Sequence, residues 1–107
     1  MQYTFDYVLK PETEQETVYN VVGREQVADV LNGYNGTIFT YGQTGSGKTH
    51  TLVGSLDQYE GRGIITRAIE QIFDHIEKSE IEVDYVITCS ILEIYKETLC
   101  DLLSEDR

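Results

Sequence analysis

The sequence predicts an α/β fold in which a mostly parallel sheet is flanked by helices. Two observations lead to this prediction. Segments with strand character alternate with segments with helix character, and one strand runs directly into a glycine-rich turn that opens a helix. Such alternation is typical of sheets built by crossover connections, in which neighbouring strands run parallel. The expected order is strand, helix, strand, glycine-rich loop, interrupted helix, strand and helix.

The first part of the chain supplies two strands and one helix. Residues 3–8 alternate aromatic and polar side chains, as a short strand does. Residues 14–32 carry an apolar stripe at helical spacing, with Thr13 and Glu16 as a potential capping box at the start of the helix. Residues 36–41 form a β-branched and aromatic run, which indicates a buried strand.

The second part begins with a broken helix and continues into a long strand. A helix that opens at Lys48 is interrupted by residues 54–63, which contain three glycines. The helix resumes with a strong 3.6-residue period, formed by Ile65, Ala68, Ile69, Ile72, Phe73 and Ile76. Apolar residues or cysteine occupy every odd position from 81 to 91, which predicts a half-buried strand. The apolar phase then changes, and the pattern between residues 95 and 103 suits a short helix.

One octapeptide indicates the chemistry. Residues 42–49 read GQTGSGKT and fit the P-loop pattern G-x-x-x-x-G-K-[ST], between a predicted strand and a predicted helix. Chance would produce this match in roughly one chain of this length in a few hundred. The glycines allow close approach of the backbone to phosphate, Lys48 can reach the β- and γ-phosphates, and the Thr49 hydroxyl can ligate Mg²⁺. We therefore expect a nucleotide-binding protein of the P-loop NTPase class.

Length and charge limit the possible functions. The 107 residues suffice for one small domain, but a P-loop NTPase sheet normally needs more strands, so we expect part of a larger fold. Nineteen acidic and eight basic residues give a net charge of -11, which disfavours binding to nucleic acid or to an anionic membrane. The sequence has no signal peptide or long apolar span, so we expect a cytoplasmic protein in which Cys89 and Cys100 are buried, reduced thiols.

The flanks of the octapeptide extend the match well beyond the P-loop. Residues 33–51, GYNGTIFTYGQTGSGKTHT, resemble the nucleotide-binding segment of the kinesin motor domain. Similar shorter stretches lie at residues 5–8, 15–19, 63–67, 93–97 and 101–103. Residues 1–107 are therefore identified as a fragment of a kinesin motor domain that contains the P-loop, with conventional plus-end-directed kinesins as the nearest group.

This resemblance implies the N-terminal part of a molecular motor. The intact parent would be a microtubule-stimulated ATPase of the cytoplasm and cytoskeleton, with ATP or ADP and Mg²⁺ as cofactors and microtubules as its partner. The family's two switch motifs and its Arg-x-Arg-Pro motif do not occur here, so we expect the chain alone to lack full ATPase activity and microtubule binding. No catalytic residue is assigned, and Asp84 is rejected as a Mg²⁺ ligand because it falls early in an alternating strand.

The resemblance also implies which residues bind the nucleotide. The phosphates and base would be contacted by Gly42, Gln43, Thr44, Gly45, Ser46, Gly47, Lys48, Thr49 and His50. Thr49 would hold the metal ion and His50 would lie near the adenine, with a solvated position as the competing interpretation for His50. Tyr19 is a second candidate for the base pocket, with burial in the core as the favoured alternative. Residues 54–63 match an insertion loop that either gates nucleotide exchange or is a plain surface loop.

Two other functions compete with the motor. Another P-loop phosphotransferase, such as a small kinase or GTPase, would use the same loop but would need a lid arginine cluster or a base-specificity motif, and the four scattered arginines provide neither. A non-catalytic truncated interaction module would retain the loop without the chemistry. Apolar stripes without sheet partners would leave exposed surface, so we also expect low stability and self-association or domain swapping.

Overall fold

The computed structural model describes residues 1–105. In this part of the chain, four α-helices and a short 3₁₀ turn precede one β-hairpin. The elements are α1 (Gln15–Val22), α2 (Arg24–Leu31), α3 (Lys48–Leu52), the 3₁₀ turn (Tyr59–Gly61), α4 (Ile64–Glu77), β1 (Leu92–Tyr95) and β2 (Thr98–Asp101). No helix among residues 1–105 combines the length and the apolar character that a membrane span needs.

Helices α1, α2 and α4 pack around Tyr19, which is 1% exposed. The Tyr19 hydroxyl donates a hydrogen bond to the Gln71 side chain of α4. The Arg24 guanidinium of α2 lies 5.2 Å from the centre of the Tyr19 ring, and Gln71 Nε2 donates to the Arg24 carbonyl at 3.0 Å. Burial raises the pKa of the Tyr19 phenol, with the positive charge of Arg24 acting in the opposite direction. Tyr19 is therefore a core residue, which confirms the interpretation favoured from the sequence.

The single helix predicted over residues 14–32 is two helices. Gly23 separates α1 from α2 and donates its N–H to the Tyr19 carbonyl at 2.8 Å. A Cβ at Gly23 would lie 2.6 Å from the Tyr19 ring, so the ring packs directly against the glycine backbone. The predicted capping box is also wrong, because the helix is capped at Glu14, one residue after Thr13, and Glu14 makes no side-chain capping bond.

Helix α4 confirms the predicted resumption of the helix after the glycine-rich interruption. Its first residue, Ile64, is buried, whereas Ile65 and Ile69 are about half exposed and Phe73 is 55% exposed. The apolar stripe predicted from the sequence is therefore covered on only part of its width. The expected exposed apolar surface is present, and self-association through it stays a prediction.

The mostly parallel sheet does not form within the described residues. Their only sheet has two antiparallel strands, and residues 3–8, 36–41 and 81–91 have no ladder pairing. A strand is defined by hydrogen bonds to a neighbour, and the alternating pattern predicts the strand character of one segment without supplying that neighbour. Apolar side chains of these segments consequently remain in solvent, as Phe39 does at 80% exposure.

The burial predicted for the thiols of Cys89 and Cys100 depended on the formation of the predicted sheet. Neither cysteine forms a disulfide, but Cys89 is exposed and Cys100 is half-buried. The expectation that both are buried is wrong because Cys89 lies in residues 81–91, which lack a covered sheet face.

The short helix expected near the end of the chain is a hairpin. Strands β1 and β2 pair antiparallel, with Leu92 opposite Asp101. Lys96 and Glu97 form the turn with φ angles of +48° and +63°, as in a type I′ turn, in which both central residues are left-handed. Glycine and asparagine usually mark this turn, so a Lys-Glu pair gave no sequence signal for it.

Candidate functional site

Residues 42–49 form a tight loop that leads into α3. Gly45 and Gly47 have φ angles of +83° and +100°, a conformation that residues with a Cβ rarely adopt. A Cβ at Gly42 would overlap the Ser46 hydroxyl oxygen, so that hydroxyl would have to turn away. The backbone of the loop thus favours glycine at positions 45 and 47, while Gly42 leaves room for the Ser46 side chain.

The loop presents several backbone amides that are not used within the chain. Among residues 1–105, no acceptor pairs with the N–H groups of Gly45, Gly47, Lys48 or Thr49, whereas the Ser46 N–H donates within the loop at 3.1 Å. Neighbouring N–H groups in a glycine-rich turn make a concave site for anions. The backbone alone therefore provides four donors at the start of α3.

Lys48 adds a positive charge to this loop. Its side chain is half-buried, and Nζ donates to the Gly42 carbonyl at 2.5 Å. The ion pairs within residues 1–105 join Arg62 to Glu70 and Lys78 to Asp74, so no carboxylate neutralises Lys48. A neutral carbonyl leaves the ammonium charge uncompensated, and a phosphate oxygen would bind it more strongly.

A cavity of about 210 Å³ opens on the loop, lined by Thr40, Tyr41, Ser46, Gly47, Lys48 and Thr51. Cavities of about 390 to 470 Å³ lie against α1, α2 and α4. Most charged groups that line the largest of these are carboxylates, which repel anions. The smaller cavity is the candidate site because it is lined by Gly47 and Lys48, whose backbone amides are unpaired, and Lys48 adds a positive charge that no carboxylate neutralises.

Thr49 and His50 lie in the first turn of α3, and both are exposed. The Thr49 hydroxyl makes no hydrogen bond within the described residues, so it can supply one oxygen ligand. Mg²⁺ usually takes one or two protein oxygens and fills its other positions with phosphate and water. No group of three or more His, Cys, Asp or Glu residues that could hold a metal occurs in residues 1–105. The donor set fits a Mg²⁺ ion that arrives with a nucleotide.

The remaining predicted contacts are also exposed. Gln43 and Thr44 lie at the tip of the loop with their side chains in solvent. Within the described residues no carboxylate is hydrogen-bonded or ion-paired to the loop. The arrangement can therefore hold an anion, and its donors are backbone amides, one ammonium and nearby hydroxyls.

Sequence reasoning missed two buried polar residues, of which one contacts α3 and the other the segment that follows α3. Gln15 and Arg67 are each 9% exposed, and they are the buried polar side chains of the described chain. Gln15 Nε2 donates to the His50 carbonyl of α3 at 2.7 Å, and Arg67 bonds to carbonyls of residues 54–63. A polar residue in the first turn of a helix is ordinarily solvated, so periodicity gave no signal for either contact.

The whole sequence, residues 1–107, matches the family model described as the kinesin motor domain. The chain belongs to the kinesin motor domain family. This membership confirms the family indicated by residues 33–51 and places the loop of residues 42–49 within a P-loop NTPase fold.

Kinesins from distant animals are similar to this chain. It is 53% identical over 104 residues to kinesin-like protein klp-20 of Caenorhabditis elegans, with 97% of this chain and 16% of klp-20 covered. It is 52% identical over 101 residues to kinesin heavy chain isoform 5C of Homo sapiens, with 94% and 11% covered. The chain therefore spans about a tenth to a sixth of the length of these relatives.

A solved kinesin structure has the same fold. The chain matches a fast kinesin, described for its ATPase mechanism and its interactions with microtubules, at a TM-score of 0.90 and 45% identity. The match covers 95% of this chain and 29% of that kinesin. The fold of the chain is therefore that of one part of a kinesin motor domain.

Proposed function

We propose that this chain is the ATP-binding portion of a kinesin microtubule motor, with residues 42–49 as its phosphate cradle. The observation that supports this most directly is a glycine-rich loop with four unpaired backbone amides, in which Gly47 and the positively charged Lys48 also line one cavity. Membership of the kinesin family makes ATP and ADP the expected nucleotides. The small cavity suits phosphates, and the base and ribose would lie outside it.

The backbone and Lys48 would share the phosphate charge. The amides of Gly45, Gly47, Lys48 and Thr49 donate to phosphate oxygens, as in other P-loops. Lys48 exchanges its hydrogen bond with the Gly42 carbonyl for one with a β- or γ-phosphate oxygen. This exchange is favourable because a phosphate oxygen carries a negative charge that attracts the ammonium, whereas the carbonyl oxygen is neutral.

The other contacts surround this centre. Gln43, Thr44 and Ser46 wrap the phosphates, the Thr49 hydroxyl holds Mg²⁺, and His50 lies near the adenine. Mg²⁺, when bound, neutralises part of the phosphate charge. Its presence matters here because the chain as a whole carries a net charge of -11.

The wider activity belongs to the parent motor. We infer that residues 1–107 are one part of a motor domain whose intact form hydrolyses ATP and moves along microtubules, on the cytoskeleton in the cytoplasm. The sequence lacks the two switch motifs, and its acidity opposes binding to acidic microtubules. The chain alone is therefore expected to bind nucleotide without full ATPase activity, and nucleic acid and membranes are not expected partners.

The predicted parallel sheet also belongs to the parent. We infer that residues 3–8, 36–41 and 81–91 take their strand partners from other parts of the motor domain. The exposure of apolar side chains in all three segments supports this, since a buried parallel strand needs cover on both faces.

A titration with a fluorescent ATP analogue in the presence of Mg²⁺ tests the cradle. Saturable binding is expected, with affinity lowered at least about tenfold in Lys48→Ala, because a charge-assisted hydrogen bond to phosphate is lost. Lys10→Ala is the matched control, since it removes the same charge from an exposed position outside the loop. Absence of saturable binding, or equal affinity in wild type and Lys48→Ala, would contradict the proposal.

A second candidate function is a non-catalytic interaction module. The half-exposed apolar face of α4, with Ile65, Ile69 and Phe73, favours it because such a face commonly marks a contact surface. The same titration separates the two candidates. An interaction module has no need of a nucleotide, whereas the cradle binds one through Lys48.

A further inference from the structure

The segment between α3 and α4, residues 54–63, is closed at its base. We refer to it as the α3–α4 loop. Gly54 and Arg62 form an antiparallel bridge, the Ser55 N–H donates to the Gly61 carbonyl at 2.8 Å, and the Gly63 N–H donates to the Val53 carbonyl at 2.9 Å. The end of α3 and the start of α4 are thereby held side by side.

Gln15 fastens this loop to α1 and α3. Its Nε2 donates to the His50 carbonyl of α3 at 2.7 Å and approaches the Gly61 carbonyl of the loop at 3.4 Å. Gly54 makes room for it, because a Cβ there would lie 2.9 Å from Gln15 Nε2. One buried amide thus links three elements.

Arg67 fastens the same loop from α4. Its Nε donates to the Arg62 carbonyl at 3.0 Å and its Nη2 to the Glu60 carbonyl at 3.1 Å. Arg62 itself stacks on Tyr59 at 3.7 Å from the ring centre and pairs with Glu70 of α4. The loop is therefore tied at several points to α4.

Gln15 and Arg67 are buried although both side chains are polar. Within the described residues, Gln15 and Arg67 are the buried polar side chains, and both donate to carbonyls of the α3–α4 loop. Burying an amide or a guanidinium is unfavourable unless hydrogen bonds compensate for the lost water. The hydrogen bonds of both residues converge on a loop that adjoins the helix carrying Lys48 and Thr49.

We propose that Gln15 and Arg67 are positioning residues that clamp the α3–α4 loop and hold α3 in place beneath the phosphate loop. Loosening the clamp frees the end of α3, so that Lys48 and Thr49 lose their fixed position and nucleotide leaves faster. This inference rests on the proposed nucleotide binding. It assigns the α3–α4 loop a closed conformation that depends on two buried side chains, Gln15 and Arg67.

The first test follows amide hydrogen exchange in the nucleotide-free chain. Gln15→Met keeps the length of the side chain and removes its donor. Gln58→Met makes the same change at an exposed position of the loop where the side chain makes no hydrogen bond within residues 1–105. Exchange is expected to accelerate across residues 48–63 in Gln15→Met alone, with the β-hairpin unaffected. Equal exchange in the two variants would overturn the clamp, whatever the nucleotide result.

The second test measures release of a fluorescent ATP analogue from the same proteins. Dissociation is expected to be roughly three- to tenfold faster in Gln15→Met, the loss expected for one buried hydrogen bond, and unchanged in Gln58→Met. Faster exchange with an unchanged release rate would refute the link to the nucleotide. If the wild type fails to bind nucleotide, the proposed function fails, and the exchange data still decide whether the clamp exists.

A pH series on Gln15→Glu separates positioning from a general loss of folding. The introduced carboxyl can donate to the His50 carbonyl only when it is protonated. The rate of nucleotide release from Gln15→Glu, divided by the wild-type rate, should therefore approach one as pH falls. The charged side chains of the adjoining cavity are Glu14, Glu16, Glu60 and Arg67. The three carboxylates favour the protonated form and Arg67 opposes it. A ratio that stays constant with pH, while circular dichroism reports a folded chain, would contradict the proposal.

Discussion

The ammonium of Lys48 lies 2.5 Å from the carbonyl oxygen of Gly42, across the mouth of the loop to which both residues belong. The contact joins a charged donor to a neutral acceptor in a half-buried position. Such a bond contributes little to folding, because water can replace the carbonyl. The charge of Lys48 is therefore available to a ligand. Removing Lys48 should have a small effect on the free energy of unfolding and a large effect on nucleotide binding.

Lys48→Ala is expected to leave the free energy of unfolding within about 0.5 kcal/mol of wild type, as for a surface substitution, while weakening nucleotide binding strongly. Thermal unfolding followed by circular dichroism, without nucleotide, measures the first quantity. Adding Mg²⁺ and ATP should raise the unfolding midpoint of wild type and Lys10→Ala and leave that of Lys48→Ala nearly unchanged. A large loss of stability in ligand-free Lys48→Ala would show that the lysine has a structural role instead.

Gly47→Ala tests whether the shape of the loop matters apart from its charge. Gly47 has a φ of +100°, so an alanine there is expected to cost about 1–3 kcal/mol or to force the loop into another shape. Nucleotide affinity should fall although Lys48 remains.

Gly33→Ala is the control for this substitution, since Gly33 has a similar φ of +98° but lies outside residues 42–49, so nucleotide affinity should not change. Isothermal titration with ATP and Mg²⁺ compares the two variants. If Gly47→Ala binds as tightly as wild type, the left-handed conformation is not required for the cradle.

Tyr19→Phe tests the core and its response to pH. Loss of the hydrogen bond to Gln71 is expected to lower the free energy of unfolding by about 1 kcal/mol near neutral pH. Burial raises the pKa of Tyr19 in the folded chain above its ordinary value of 10.0. The unfolded chain therefore loses this proton first, and the stability contributed by the neutral phenol is lost as pH rises from about 10 through the raised value.

The pH dependence of the free energy of unfolding tests this contribution of Tyr19. Urea unfolding between pH 8 and pH 11 should show a smaller alkaline loss of stability in Tyr19→Phe than in wild type. Tyr34→Phe is the matched control, because Tyr34 is exposed and its removal should leave the alkaline loss unchanged. Nucleotide binding at neutral pH should survive in Tyr19→Phe, since the side chain is buried among α1, α2 and α4 and does not line the cavity at the phosphate loop.

The sequence predicted the local features of this fold better than its pairing. The loop of residues 42–49 and helix α4 were recognisable because their patterns depend on neighbours within a few positions. Residues 81–91 alternate as a strand does, yet strand pairing depends on segments far away in sequence. The hairpin turn at Lys96 and Glu97 escaped prediction because neither residue type is typical of left-handed turns.

The residues of the candidate site also differ in whether the sequence could predict them. Lys48 and Thr49 could be assigned from a motif whose residue types follow from phosphate chemistry. Gln15 could not, because its contact with the His50 carbonyl spans 35 positions and is made to the backbone. Every residue has a backbone carbonyl, so the sequence does not indicate which one accepts this hydrogen bond. Only the folded chain reveals the contact.

Phe73→Gln tests whether the exposed apolar face of α4 promotes self-association. Phe73 is 55% exposed beside the half-exposed Ile65 and Ile69, and covering such a face gains roughly 25 cal/mol for each Å² of apolar surface removed from water. Wild type is expected to associate with increasing concentration, and Phe73→Gln to need a several-fold higher concentration for the same effect. Sedimentation velocity over a range of concentrations measures this.

His75→Gln controls for the position, because His75 is an exposed α4 residue only two places from Phe73. It should associate as wild type does, since removing a polar side chain uncovers no apolar contact. A wild-type chain that remains monomeric at every concentration would show that the apolar face alone does not drive association. Equal association of Phe73→Gln and wild type would instead assign the contact to another surface, with the unpaired segment around Phe39 as the next to test.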